Sequence, residues 1–149
     1  MKGRLTIRSA GTLFLLSAAF EIWSITSSIP LFGAIRSGTL AISYHLLFMA
    51  LYLTIGIGLL VPKQWCYKAT FVGAIFSTLD KVLFLLDRKS IDIYLFQQLG
   101  ESYNSIIQTI GMSTIYQVLI LATLMFIASW WGFVLYLYIR RDYFYSQKK

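Results

Sequence analysis

The sequence predicts an all-α integral membrane protein with four transmembrane helices, arranged as an up-down bundle in a single domain over residues 1–149. Two observations carry this prediction. Of the 149 residues, 58% are hydrophobic and only 13% are charged, whereas a soluble domain carries about 25% charged residues. The apolar residues are also gathered into four stretches, each close to the roughly 20 residues that a helix needs to cross a bilayer.

Prolines mark the ends of the first two stretches, at Pro30 and Pro62, because proline ends or kinks a helix. The links between the first three stretches are short, so these three helices should be antiparallel neighbours. The first stretch runs on to Pro30 and is longer than the apolar part of a signal peptide, so we expect a retained helix. The expected helices span about 9–28, 38–61, 65–86 and 116–139.

The connection between the third and fourth helices has a helical pattern of its own, over about 91–112. Apolar residues recur at spacings of three and four, at Phe96, Leu99, Tyr103, Ile106 and Ile110. Such spacing places them on one face of a helix, with polar residues on the other. The pattern predicts an amphipathic helix that lies in the membrane interface or caps the bundle, with Gly100 as a potential break.

Lys and Arg are distributed unevenly between the two ends of the expected bundle. Of the 13 Lys and Arg residues, nine lie near the N-terminus, the second connection or the C-terminus, and four lie on the opposite side. Cytoplasmic segments of membrane proteins carry the excess of these residues. This predicts a multi-pass protein of the cell membrane, the inner one where there are two, with both termini cytoplasmic.

The net charge of +7 does not point to nucleic acid, because much of the basic charge flanks hydrophobic segments, where it meets anionic lipid headgroups. The basic residues of the termini are Lys2, Arg4, Arg8, Arg140, Arg141, Lys148 and Lys149. The expected partners are the lipid bilayer and either further copies of this chain or a larger membrane complex. The single Cys66 excludes a disulfide within one chain.

Four ionisable residues lie inside the expected helices, where each costs about 2.5–3.5 kcal/mol on insertion scales. They are Glu21 in the first helix, His45 in the second, and Asp80 with Lys81 in the third. At about 1.5 Å per residue from the helix midpoints, Glu21 lies roughly 4 Å, and His45 and Asp80 roughly 7 Å, toward the outer face. The sequence therefore predicts one cluster that binds a ligand or protons in the outer half of the bundle.

Small residues indicate that these side chains face other helices. Ser24 lies one turn from Glu21, and Ser77 lies one turn from Asp80. Small residues let membrane helices approach closely. We therefore include Ser24 and Ser77 as secondary candidates for the cluster. Arg36, the basic residue of the first connection, is a third, because it could pair with a carboxylate of the cluster. The fourth helix carries no ionisable residue, so its expected role is packing and anchoring.

Three functions fit such a cluster. The favoured one is binding of a small or amphipathic ligand, a proton or a cation, with transport as an extension, because imidazole titrates close to neutral pH. The second is that of an accessory or assembly subunit of a larger complex, in which the cluster only fixes helix register. The third is an intramembrane acid-base enzyme that acts on a lipid or isoprenoid, with Glu21 and Asp80 as acid and base.

Catalytic and metal sites are not predicted. A serine nucleophile needs a base within reach, and no spacing pairs a serine with His45, the single histidine. Carboxylates and imidazole suit first-row metals, so a site built from Glu21, His45 and Asp80 is chemically possible. The sequence has no second histidine and no Glu-x-x-His spacing to support it. It identifies no cofactor, and it favours a function without catalysis.

Overall fold

The computed structural model describes residues 3–31 and 34–145, and within them the chain is helical apart from one short hairpin. Its elements are α1 (Arg4–Trp23), β1 (Ile29–Leu31), β2 (Ala34–Arg36), α2 (Thr39–Leu60), α3 (Trp65–Leu86), α4 (Arg88–Leu99), α5 (Ser102–Ile110), α6 (Met112–Ile139) and α7 (Asp142–Tyr145). Helices α1, α2, α3 and α6 are long and apolar enough to cross a membrane. The chain is therefore a multi-pass membrane protein by the length and composition of its helices, as the sequence predicts. Lys2, Lys148 and Lys149 of the predicted basic termini lie outside the described residues.

The first helix is displaced along the chain relative to its prediction. It begins and ends five residues earlier than expected, whereas α3 coincides with its predicted range. The chain leaves the helix after Trp23 and turns, with the Ser27 amide donating to the Ser24 carbonyl at 2.8 Å. At the other end the helix takes in Arg4 and Arg8, whose long side chains can reach the membrane surface while their stems stay in apolar surroundings.

The first connection forms a β-hairpin, which the sequence analysis did not predict. β1 and β2 are antiparallel, with Ile29 opposite Arg36 and Leu31 opposite Ala34. Ile29 is buried, and β1 lies against α3 while β2 lies against α4. The hairpin thus covers one end of the helices, which we call the hairpin end. The opposite end, where α1 begins and α6 ends, is the terminal end.

The predicted single amphipathic helix over 91–112 is wrong, because the structure has two helices in this region. α4 ends at Leu99 and α5 begins at Ser102, and Gly100 between them has a φ of 54°. That left-handed conformation favours glycine and does not continue a helix, so the potential break at Gly100 is confirmed. The amphipathic pattern is strong in α5 and weak in α4, and no residue of α5 is buried.

Helices α1 and α2 make the closest packing in the described part of the chain. A Cβ atom on Gly56 of α2 would lie 2.8 Å from Leu15 Cδ2 and 3.0 Å from the carbonyl oxygen of Gly11 on α1. The two backbones approach so closely because glycine leaves no side chain between them. α3 packs against both α2 and α6. One cluster of buried apolar residues comprises Ile7, Ile55, Leu59, Cys66, Ala74, Trp130, Leu137 and Phe144.

Helix α6 is the least buried of the four long helices. Within it only Trp130 and Leu137 are buried, whereas Leu121 and Met125 are 60% and 64% exposed. Leucine and methionine are as apolar as the lipid tails that surround a membrane helix. The exposed face of α6 therefore suits contact with lipid.

The start of α4 is held by a carboxylate that should make its order sensitive to acid. Asp87 accepts hydrogen bonds from the Ser90 hydroxyl at 2.6 Å and the Lys89 amide at 3.1 Å. The Ser90 hydroxyl, aided by backbone amides and the Lys89 charge, holds the pKa of Asp87 below its ordinary value of 3.8. The stabilisation is complete above that ordinary value and is lost as the pH falls through the lower pKa of the folded state.

We therefore expect the Lys89 amide to lose protection from hydrogen exchange between pH 5 and about pH 2, after correction for the intrinsic rate, as Asp87 is protonated. In Asp87→Asn the amide oxygen still caps the helix but does not titrate, so protection should not change with pH. Equal pH dependence in the wild type and Asp87→Asn would contradict the role of this carboxylate.

Candidate functional site

A carboxylate–imidazole pair joins α1 to α2 near the hairpin end. Oε2 of Glu21 lies 2.6 Å from Nδ1 of His45, and the side chains are 19% and 7% exposed, respectively. Glu21 lies in the last turn of α1 and His45 in the second turn of α2. The hairpin returns the chain antiparallel to α1, so these two turns meet. Because α1 ends at Trp23, Glu21 lies nearer the helix end than predicted.

A second carboxylate lies on α3, one residue before its basic neighbour. Asp80 is 1% exposed, and its Oδ2 accepts from the Tyr44 hydroxyl at 3.2 Å and from Lys81 Nζ at 3.3 Å. The Lys81 side chain is about one-third exposed. Tyr44 is adjacent to His45 on α2, so the carboxylates of Asp80 and Glu21, which contact these two residues, lie in the same region. We call Glu21, His45, Tyr44, Asp80 and Lys81 the polar cluster.

A cavity of about 330 Å³ lies beside the polar cluster. Helices α1, α2, α3 and α6 and strand β1 all contribute to its wall. The lining residues are Glu21, Ile29, Pro30, Tyr44, His45, Phe48, Tyr52, Ser77, Lys81 and Phe126. Its volume falls at the lower end of the 300–1,000 Å³ that ligand pockets usually enclose. The cavity is therefore large enough for a small molecule or for the head of a larger one.

One imidazole nitrogen of His45, a residue of the cavity wall, has no hydrogen-bond partner among the described residues. This nitrogen, Nε2, is buried. When Nδ1 donates to an ionised Glu21, the neutral ring presents an unprotonated Nε2, which is a hydrogen-bond acceptor. When the ring is protonated, Nε2 carries a proton that lacks an acceptor. In either state the ring can make one more hydrogen bond.

The cluster can change its charge by one unit through a single proton. The Asp80–Lys81 pair is neutral when the carboxyl is ionised and the amine protonated. The Glu21–His45 pair is neutral as carboxylate and imidazolium, and it carries one negative charge as carboxylate and neutral imidazole, after the loss of one proton. A single cation beside the deprotonated pair would therefore restore neutrality, which matters in surroundings where an uncompensated charge is costly.

Of the secondary candidates, the structure places one at the cavity. Ser77 is 5% exposed and lines the wall. Ser24 lies beyond the end of α1 and does not line the cavity. Arg36 lies exposed at the end of β2, paired through the backbone with Ile29. Ile29 lines the cavity, but its hairpin partner Arg36 does not.

Four aromatic residues of the wall were not selected from the sequence, three of them on α2 and one on α6. Tyr44, Phe48 and Tyr52 recur at a spacing of four on α2, which puts them on one helical face. The Tyr44 and Phe48 rings stack with their centroids 4.4 Å apart, and Phe48 meets Tyr52 edge-on at 5.7 Å. This spacing of four is the feature of the sequence by which the three could have been identified as one aromatic face. Phe126 of α6 had no such signal in the sequence.

The polar cluster does not have the arrangement of a metal centre. Within residues 3–31 and 34–145, no group of three or more His, Cys, Asp or Glu side chains could hold a metal ion. The possible site built from Glu21, His45 and Asp80 is thus not formed, because Glu21 pairs with His45 while Asp80 pairs with Tyr44 and Lys81.

Similarity to known proteins adds nothing to this geometry. No protein-family model, curated protein or solved structure matches the chain, so the function has to be inferred from the polar cluster and its cavity.

Proposed function

We propose that this protein binds a small or amphipathic cation in the cavity beside the polar cluster and exchanges it for a proton held by Glu21 and His45. In this proposal the four long helices form an up-down bundle in a cell membrane, with both termini cytoplasmic and the hairpin end outside. The excess of Lys and Arg near the termini and the second connection supports that orientation. α5, with its exposed amphipathic face, lies in the outer interface.

The observation that carries the proposal is the unsatisfied Nε2 of His45 beside a cavity. A network that only fixes helix register would be expected to satisfy its buried polar atoms, because each unsatisfied one costs about 1–3 kcal/mol. Here His45 meets Glu21 on one side and lacks a partner among the described residues on the other. A ligand in the cavity can supply that partner after a small shift of the side chains that cover Nε2.

The charges of the cluster favour a cation that donates hydrogen bonds. A primary ammonium group has three donors, which match the carboxylate of Glu21 and the unprotonated Nε2 of His45. Its charge offsets the negative charge that remains when the Glu21–His45 pair loses its proton. An empty, deprotonated pair leaves a negative charge uncompensated, and a cation beside the protonated pair leaves a positive one. Both are costly in the membrane, so binding of the cation and release of the proton are coupled.

Proton release on binding tests this proposal directly. We expect ethylammonium to bind the full-length protein in lipid nanodiscs at neutral pH with release of about one proton per cation, because the cation replaces the proton of the Glu21–His45 pair. Calorimetry in two buffers of different ionisation enthalpy measures the number of protons, with empty nanodiscs as the blank. Binding without proton release would contradict the exchange, and absence of binding would contradict the ligand site itself.

Transport follows from the same coupling. A pair that holds either a proton or a cation, but not both, can carry the two in opposite directions when the cavity opens in turn to each side of the membrane. Protein reconstituted in liposomes should then take up methylammonium along an imposed pH gradient faster than protein-free liposomes, which admit the neutral amine by diffusion, and should not differ from them without the gradient. Binding without uptake would assign the site to sensing or to an accessory function in a larger complex.

A further inference from the structure

A second, apolar recess lies next to the cavity of the polar cluster. It has a volume of about 320 Å³ and opens between α1 and α6. Its wall includes Leu13 and Phe14 from α1 and Trp130 and Phe133 from α6. The Phe14 ring lies 5.4 Å from the Trp130 ring and 5.9 Å from the Phe133 ring, centroid to centroid. We call this recess the apolar groove.

The cavity and the apolar groove share part of their walls. Tyr52 of α2 and Phe126 of α6 line both spaces. The cavity carries Glu21, His45 and Lys81 on its wall, whereas the groove has no ionisable side chain apart from the Tyr52 phenol. The two spaces are therefore neighbours, separated by at most these two side chains, and one is lined partly by charged groups while the other is apolar.

The two serine hydroxyls of the apolar groove are already used within their own helices, which leaves the Tyr52 phenol, at the wall shared with the cavity, as its other hydroxyl. Ser17 donates to the Leu13 carbonyl at 3.1 Å, and Ser129 donates to the Met125 carbonyl at 2.8 Å. Neither donor is left for a polar ligand. The groove thus suits a hydrocarbon chain, and not a second polar group.

The cavity and the apolar groove follow one another along the helices, in the same order as the charged head and the apolar tail of a lipid-like molecule. The polar cluster lies toward the hairpin end, with Glu21 in the last turn of α1. The apolar groove contacts α1 between Ala10 and Ser17, in the middle of that helix. It contacts α6 between Phe126 and Phe133, just beyond the midpoint of that helix. A charged head in the half of the helices nearer the hairpin end would therefore continue into a tail that points toward their middle.

The packing of the helices leaves a lateral entrance to the groove. α1 packs along α2, and α6 packs on α3, while α1 and α6 approach each other less closely within the described residues. Leu13 of α1 and Phe126 of α6, which line the groove on the two sides of this seam, are 64% and 43% exposed, so the groove is open to the outside here. A molecule already dissolved in the bilayer can reach the groove from the side without crossing water.

We propose that the ligand of this site is a single-chain amphiphile with a primary ammonium head, which enters from the bilayer between α1 and α6. The head occupies the cavity beside Glu21 and His45, and the alkyl chain occupies the apolar groove. This inference rests on the proposed function, because it takes the polar cluster as a cation site. It adds the class of ligand, the place of its tail and the route of entry.

The test compares decylammonium with ethylammonium on the full-length protein in nanodiscs. Ser129→Leu adds bulk inside the apolar groove, and Ala128→Leu adds similar bulk at the neighbouring exposed position of α6, which does not line the groove. We expect Ser129→Leu to weaken decylammonium binding at least ten-fold and to leave ethylammonium binding unchanged. Ala128→Leu should change neither. Because decylammonium also dissolves in lipid, the comparison is made between variants at the same ratio of lipid to protein.

The outcomes separate this inference from the proposed function. If ethylammonium binds with proton release and Ser129→Leu does not affect decylammonium, the tail does not lie in the groove and only the present inference fails. If neither amine binds the wild type, the cation site fails and the present inference fails with it. If uncharged decanol competes with decylammonium as well as decylammonium competes with itself, the ammonium head is not recognised and the inference is again overturned.

Discussion

Glu21→Gln is expected to weaken ethylammonium binding at least ten-fold and to abolish the proton release that accompanies it. The amide has the shape of the carboxyl group, and its oxygen can still accept a hydrogen bond from His45 Nδ1. A neutral hydrogen bond can therefore take the place of the contact at 2.6 Å. The negative charge that attracts the cation is lost, and hydrogen bonds to charged groups contribute about 1.5–3 kcal/mol. A ten-fold weakening corresponds to about 1.4 kcal/mol, which is the lower end of that effect.

The amount of folded protein decides between a binding site and a structural network. We expect Glu21→Gln to accumulate in the membrane and to elute from a sizing column as the wild type does. Glu101→Gln is the matched control, because Glu101 is an exposed carboxylate just before α5 and lies outside the polar cluster. The reverse pattern, with less protein but unchanged affinity in the remainder, would support an accessory subunit whose cluster is structural.

Gly56→Leu should have the second large effect, on the stability of the helix pair that holds the site. The ideal Cβ position at Gly56 lies 3.0 Å from a backbone oxygen of α1 and 2.8 Å from Leu15 Cδ2. A leucine side chain there forces α1 and α2 apart, and overpacking of this kind costs about 1–3 kcal/mol or more. We expect a lower midpoint of thermal unfolding in detergent and less protein in the membrane. Cation binding should weaken too, because separation of the helices parts Glu21 from His45.

Gly132→Leu provides the matched control for this substitution. A Cβ atom at Gly132 of α6 would meet no atom within 4 Å, so the added side chain projects into free space beside the helix. Its unfolding midpoint and its accumulation should remain those of the wild type. Equal stability of Gly56→Leu and the wild type would mean that the close approach of α1 and α2 does not contribute to the fold.

The sequence was most informative where one physical requirement dominates. A helix that crosses a bilayer must be long and apolar, and this requirement is visible in four stretches of the chain without any knowledge of their packing. The same requirement makes charged residues in those stretches stand out, so Glu21, His45 and Asp80 could be selected from the sequence. That Glu21 contacts His45, and that Asp80 contacts Tyr44 instead, depends on helix rotation, which apolar stretches in lipid do not specify.

Local breaks in regular structure were harder to predict. The periodicity over 91–112 is continuous enough to suggest one helix, yet the left-handed backbone at Gly100 divides the region into α4 and α5. The first connection has too few residues for a strand pattern to be recognised, and its hairpin depends on contacts with α3 and α4. The early end of α1 at Trp23 follows from the same hairpin, since the chain must turn before β1.

The sequence by itself determined the membrane-spanning helices and the identity of the ionisable residues within them, because both follow from the cost of placing polar groups in lipid. Only the tertiary structure decided how those residues are paired and what surrounds them. It showed that Ser77 lines the cavity while Arg36 does not, and that α6, expected only to pack and anchor, contributes Phe126 to the wall. The reason is that a cavity forms between helices, and its lining depends on the relative rotation and spacing of several segments at once.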